Sequence, residues 1–166
     1  MARHLIEEND DFSIYAPIIM NSEFLAAQKD IAQVSSVAIG QNRKYLADSV
    51  METYPNIKRA VEINSSSLQF ALITGNTDSV VLDITKLSTM HDCSFYPVTD
   101  NDYISYVLLV NNDIVGTEAF ESFIECCDRV AERLSEDSEL ISAVESYTGE
   151  AFELPENTRI KFLKIN

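Results

Sequence analysis

Apolar residues recur along this chain in two rhythms, and the switches between them divide it into helical and extended stretches. Phe12 to Met20 (FSIYAPIIM) is apolar and β-branched enough to predict a strand, which Pro17 pushes towards a sheet edge or a break. Asn21 or Ser22 can cap a helix over roughly 22–35, where Phe24, Ala27, Ile31 and Val34 share a face. A second helix is predicted over 42–54, with Tyr45, Leu46, Ser49, Val50 and Tyr54 on one side and Pro55 ending it. A short helical turn over 56–62 follows.

The centre of the chain changes period. Leu68–Thr74 (LQFALIT) and Ser79–Ile84 (SVVLDI) flank the turn-rich Gly75-Asn76-Thr77-Asp78 and predict a β-hairpin. Residues 93–98 and 103–110 flank Thr99-Asp100-Asn101-Asp102 and predict a second, so that four consecutive strands would make an antiparallel meander. The helical period then returns. Phe120, Phe123, Ile124, Cys127, Val130, Ala131 and Leu134 follow the 3, 4, 7 spacing of a helix over 117–135, with Thr117 as its cap. Leu140, Ile141, Val144 and Tyr147 predict another over 137–148, terminated by Gly149, and Arg159–Ile165 (RIKFLKI) predicts a last strand. The expected fold class is α+β in one compact domain over 1–166: N-terminal helices, a central antiparallel β-meander, a C-terminal acidic helix pair and a final strand.

Length and composition support that expectation, since 166 residues with 46% hydrophobic positions can bury a substantial core. Charge adds a constraint on partners. With 27 acids against 12 bases the net charge is −15, which repels nucleic-acid phosphates and anionic membranes and attracts basic protein surfaces. Direct nucleic-acid binding and membrane association are therefore not expected. Three cysteines, Cys93, Cys126 and Cys127, form no disulfide framework, and free thiols suit a cytoplasm, the host's if the chain is phage-encoded. The N-terminal residues show no apolar signal segment, and no stretch approaches a membrane span.

Catalytic and metal chemistry finds little support. His91, Asp92 and Cys93 are possible ligands, but neighbouring positions cannot all face one metal in regular structure, and no pair stands at zinc spacing; His4 lies near the terminus. Cys127 falls on the apolar stripe of its helix, and Cys126 sits between Glu125 and Asp128, whose charges oppose a thiolate. The four glycines stand apart, so there is no phosphate loop, dinucleotide fingerprint or nucleophile elbow. Neither a cofactor nor a metal nor an enzymatic activity is expected. A small enzyme without a recognisable motif is the residual alternative.

Residues 113–156 carry 13 acids and only two bases, Arg129 and Arg133, a net −11 of the total −15. Within them Glu121, Glu125, Asp128 and Glu132 recur at helical spacing opposite the apolar face, and Glu136 and Asp137 extend the stripe. These six residues are the expected partner-binding site. The expected function is a non-enzymatic acidic inhibitor or adaptor that docks on a basic surface of a host protein and forms a homodimer. Its most concrete form is the counter-defence (anti-restriction) protein of a phage or mobile element, engaged in a host–virus interaction.

DNA mimicry by a monomer is too sparse. Four charges over about 16 Å of helix compare with about ten over the same length of duplex; only a dimer would come nearer. The order helix, meander, helix over residues 42–135, with the small size and low pI, resembles the dimeric acidic chaperones of type III secretion. That resemblance implies an extended partner segment held in apolar grooves, and the chain departs from it in an extra helix and a basic final strand.

Overall fold

Phe12–Met20 forms a strand, β1, as its β-branched run predicts, but the residues that follow do not coil. In the computed structural model, which describes Ile6, Glu7 and residues 9–166, Asn21 turns the chain with a positive φ of 56° straight into a second strand, β2 (Glu23–Ala27). All five β2 residues are buried. Leu25 and Ala27 point into one cluster, with Val37, Ile39 and Val81, and Phe24 and Ala26 into another, with Ala38, Val80 and Leu82. A strand covered on both faces loses the apolar–polar alternation that would announce it, and its short apolar run is indistinguishable from a helix face. The helix expected over 22–35 is thus replaced by β2, a single 3-10 turn at Ile31–Gln33 and β3 (Ser36–Gly40).

Two crossovers follow in succession, the first from β3 and the second from the strand that the first reaches. Helix α1 (Lys44–Thr53), within the predicted 42–54, buries Leu46, Ala47 and Val50 and leads to β4 (Arg59–Ile63), where a helical turn was expected. Helix α2 (Leu68–Ile73) leads on to β5 (Ser79–Asp83). The expected hairpin of 68–74 with 79–84 is absent because Leu68, Ala71 and Leu72 recur at helical spacing and bury one side, while Phe70 and Ile73 point outward. β3 pairs in parallel with both β4 and β5, β2 pairs antiparallel with β5, and β6 (Ser94–Pro97) closes the edge, giving the order β4-β3-β5-β2-β6.

β7 (Ile104–Asn111) does not pair with β6. It pairs antiparallel with β1, and β8 (Lys161–Phe162) adds two residues on β1's other side, making a second sheet of order β7-β1-β8. The turn at 99–102 therefore passes between sheets, and the expected meander gives way to a mixed sheet and a smaller antiparallel one. Pro17 lies where β1 has only β7 beside it, between two register shifts, a position that tolerates a missing N–H.

Helix α3 (Glu118–Leu134) begins at Thr117, whose Oγ1 accepts from the Phe120 amide. It packs Phe120 and Ile124 on the small sheet beside Val110, and Phe120 meets Tyr15 edge-on at 5.0 Å. Helix α4 (Asp137–Thr148) ends at Gly149 in the left-handed region, φ 76°, as a C-terminal glycine allows. Its Leu140 and Val144 pack with α2's Leu68 and Leu72 on the face of the large sheet opposite α1. The chain is thus a mixture of helices and sheets, in an order unlike the helix–meander–helix expected over 42–135. No helix among the described residues is long and apolar enough to cross a membrane.

Asp78 ties the loop before β5 to the segment entering β3. Its carboxylate accepts from Lys29 Nζ at 2.6 Å, Ser35 Oγ at 2.6 Å, Ser35 N at 2.8 Å and Ser36 N at 3.1 Å. The Lys29 bond, then those from Ser35, holds this carboxyl well below the usual carboxylate range. Its stabilising contribution is present above the unfolded carboxyl pKa, about 3.9, and is lost as pH falls below it. Asp78→Asn is expected to flatten the decline of stability below about pH 4, read from urea midpoints across pH. Leu25→Ala, in the fully buried β2, is expected to cost about 2–5 kcal/mol in the same measurement at neutral pH.

Candidate functional site

In the large sheet β3 sends α1 over one face towards β4, and β4 sends α2 over the other face back to β5. The neighbours β3 and β5 consequently part at their C-terminal ends, the place where open α/β sheets form a crevice. Gly40 ends β3. A Cβ there would stand 2.5 Å from Ser65 Oγ, so the residue's lack of a side chain lets the β4–α2 connection approach closely. Gln41 N donates to Ile63 O and Asn42 N to Glu62 Oε2, both at 3.0 Å, and this fixed turn delivers Arg43 to the crevice.

Arg43 meets a carboxylate from the first residue of β2. The Glu23 side chain is fully buried; its Oε1 accepts from Arg43 Nη1 at 2.8 Å. Oε2 accepts from Ser105 Oγ at 2.6 Å and from the Tyr103 hydroxyl at 3.1 Å. Burial works against the Arg43 cation, but Glu23, then Tyr45 and Tyr106, hold its pKa above the ordinary value. Burial, then the Glu23 charge, pushes the Tyr103 phenol far up, so it remains a donor. These bonds join α1, the large sheet and the start of β7 through one buried charge.

Asp83, at the end of β5, continues the network. Its Oδ2 accepts from the Tyr106 hydroxyl at 3.0 Å and Ser22 Oγ at 3.2 Å, and its Oδ1 from Thr85 N at 3.1 Å and Thr85 Oγ1 at 2.8 Å. Burial and then Asp83 raise Tyr106 to about 12, which keeps this phenol a donor at neutral pH.

Ser22, Asp83, Thr85 and Tyr106 form the polar end of a groove of about 410 Å³. Its remaining walls are apolar: Ile18 and Ile19 of β1, Phe162 of β8, Ile84, Ile160, and Leu134, Leu140, Ala143, Val144 and Tyr147 from the two C-terminal helices. Volume and composition match a small-molecule site, a mostly apolar concavity with few converging polar groups.

The six acids expected to bind a partner lie elsewhere. Glu121 and Glu125 are exposed on α3, Glu136 precedes α4, and Asp137 sits in its first turn, where a negative charge suits the helix dipole. Asp128 is occupied within the chain, accepting from the backbone amides of Ile165 at 2.6 Å and Asn166 at 3.3 Å, and Glu132 lies 3.3 Å from Lys164. Cys93 and Cys127 have thiols pushed up, each first by burial. Among the described residues no three of His, Cys, Asp and Glu gather as a metal would require, and His4 lies outside those residues. Glu23, Arg43 and Asp83 escaped the sequence reading because it placed Glu23 in a helix. The available signals were an acid opening an apolar run, and a strand–Gly40–helix junction leading to an isolated arginine.

No family model matches the chain, and no curated protein matches it. Solved structures do. The chain resembles the ligand-binding component of an ABC-type import system from Staphylococcus aureus, a structure with zinc bound, at TM-score 0.68 and 8% identity over 98% of this chain and 64% of that one. It resembles an ABC transporter protein from Parabacteroides distasonis at TM-score 0.66 and 13% identity, over 98% and 65% of the two chains. A protein from Archaeoglobus fulgidus matches at TM-score 0.54 and 12% identity, over 89% and 61%. The chain thus spans under two thirds of each of these chains, and at such identities the likeness is one of fold.

That fold overturns the expectation of an acidic inhibitor or adaptor docking on a basic host surface. The anti-restriction and host–virus context and the expected host-protein partner fall with it. The strand-rich order over 42–135 likewise removes the basis for the secretion-chaperone resemblance. Truncating the buried acid tests the site's architecture. Glu23→Ala would leave Arg43, Ser105 and Tyr103 without their acceptor and is expected to cost about 3 kcal/mol. In a double-mutant cycle with Arg43→Ala, read by urea unfolding, the two losses should be strongly non-additive.

Proposed function

We propose that this protein binds a small molecule in the groove that lies between the C-terminal end of β5, strand β1 and helix α4, as a ligand-binding unit and not as an enzyme. The observation that carries this is the pairing of a 410 Å³ apolar groove with a polar end held rigidly by the Ser22–Asp83–Tyr106 bonds. The fold likeness to a ligand-binding component of an import system supports this reading. Recognition, more than proton transfer, suits the polar groups, because each oxygen of Asp83 and Glu23 already accepts from a fixed donor and the phenols are held protonated.

The test uses 1-hexanol, a neutral amphiphile short enough for the groove. Amide chemical shifts should move saturably at residues such as Ile19, Ile84, Val144 and Phe162, with a Kd on the order of 1 mM. Ala143 is exposed on α4 and lines the groove, so Ala143→Trp should fill the groove and abolish those shifts with the fold intact. Shifts scattered over the surface, or unaffected by Ala143→Trp, would sink the proposal.

A further inference from the structure

The chemistry of the groove's polar end narrows its ligand. Of the three charged groups in the network, Glu23, Arg43 and Asp83, only Asp83 lines the groove. Arg43 is engaged by the buried Glu23 at 2.8 Å and does not line the groove. Asp83 does line it, and its partners are hydroxyls and one amide; no lysine or arginine among the described residues lies within ion-pair distance of it. The end of the groove therefore carries one uncompensated negative charge against apolar walls.

Each ligand class meets this charge differently. A carboxylate or phosphate would be driven against Asp83 within a chain of net charge −15. A neutral apolar ligand would strip water from Asp83 and return nothing for it. An ammonium would supply the missing positive charge, and Tyr106, which hydrogen-bonds Asp83 and is 36% exposed, adds an aromatic face suited to a cation; Tyr147 lines the wall. From this complementarity we infer that the groove takes an amphipathic organic cation, its ammonium on Asp83 and Tyr106 and its hydrocarbon part along the β1 and α4 walls. This rests on the groove being a small-molecule site, and adds the class of ligand.

Three probes of equal chain length separate the possibilities: hexylammonium, 1-hexanol and hexanoate, titrated at pH 7 into the full chain and followed by amide chemical shifts. Hexylammonium should bind about tenfold more tightly than hexanol, the size of one charge-assisted hydrogen bond, with hexanoate weakest. Asp83→Asn keeps an acceptor for the Thr85 amide and so preserves the turn after β5; it should bring hexylammonium to within about twofold of hexanol measured on the same variant. Glu121→Gln removes the same unit of charge from the surface of α3 and should leave the amine preference intact.

Preference for hexanoate would overturn the inference. So would an amine preference that survives Asp83→Asn, or one lost equally in Glu121→Gln, which would make the attraction a property of net charge. If hexanol binds and the amine binds no better, the cation inference alone fails. If none of the three binds, the small-molecule reading of the groove fails with it.

Discussion

Both faces of the five-stranded sheet must be kept from water, and most of the architecture follows from that constraint. β2, β3 and β5 are apolar on each side, so one layer of helix cannot cover them. α1 takes the face bearing Leu25, Val37, Ile39 and Val81; α2 and α4 take the face bearing Phe24, Ala26, Ala38, Val80 and Leu82. Helices on opposite faces are delivered by crossovers that run from β3 out to β4 and from β4 back to β5, and the groove lies beyond the C-terminal end of β5, walled by β1 and α4.

The crevice is closed on one side by the second sheet, and a buried charge joins the two. Glu23 opens β2, but its donors come from α1 and from the start of β7. Burying a carboxylate is costly unless its oxygens are met by donors, and here a guanidinium and two hydroxyls meet both of them. Such an arrangement is poor at adding stability and good at defining one position: if β7 shifted along β1, Ser105 and Tyr103 would no longer reach Glu23. The same strand carries Tyr106 to Asp83, so the polar end of the groove inherits that registration.

The acidity of the chain takes on a different meaning in this setting. Part of the α3 stripe works within the fold: Asp128 receives two backbone amides of the last strand's extension, Glu132 faces Lys164, and Asp137 lies at the positive end of α4. Clustered carboxylates on one helix suggested an external basic partner because sequence shows the charge and not the neighbouring chain. The lysines and amides that answer it come from residues more than thirty positions away.

Several features were legible without the structure. β1, α1, α3 and α4 were expected close to where they stand, with the Thr117 cap and the Gly149 terminus, because each carries its pattern in consecutive residues. Hydrophobic spacing, capping and breaking are local, and α3 would read the same in any surroundings. The identity of β2, α2 and β4 was not local. β2 and β4 are short pieces whose state depends on what covers them, and α2 is a helix of six residues that packing, more than propensity, sustains. Glu23, Arg43 and Asp83 stand twenty and forty positions apart, and only parallel pairing of β3 with β5 and antiparallel pairing of β2 with β5 gathers them. The sequence by itself determined the amphipathic helices, the first strand, the strands at 79–83, 94–97 and 104–111 though not their pairing, and the excess of negative charge. Tertiary structure decided which apolar runs became strands and which acids were spent inside the fold. It also decided which one was left facing a groove, because pairing and burial are relations between distant segments that no single stretch of chain contains.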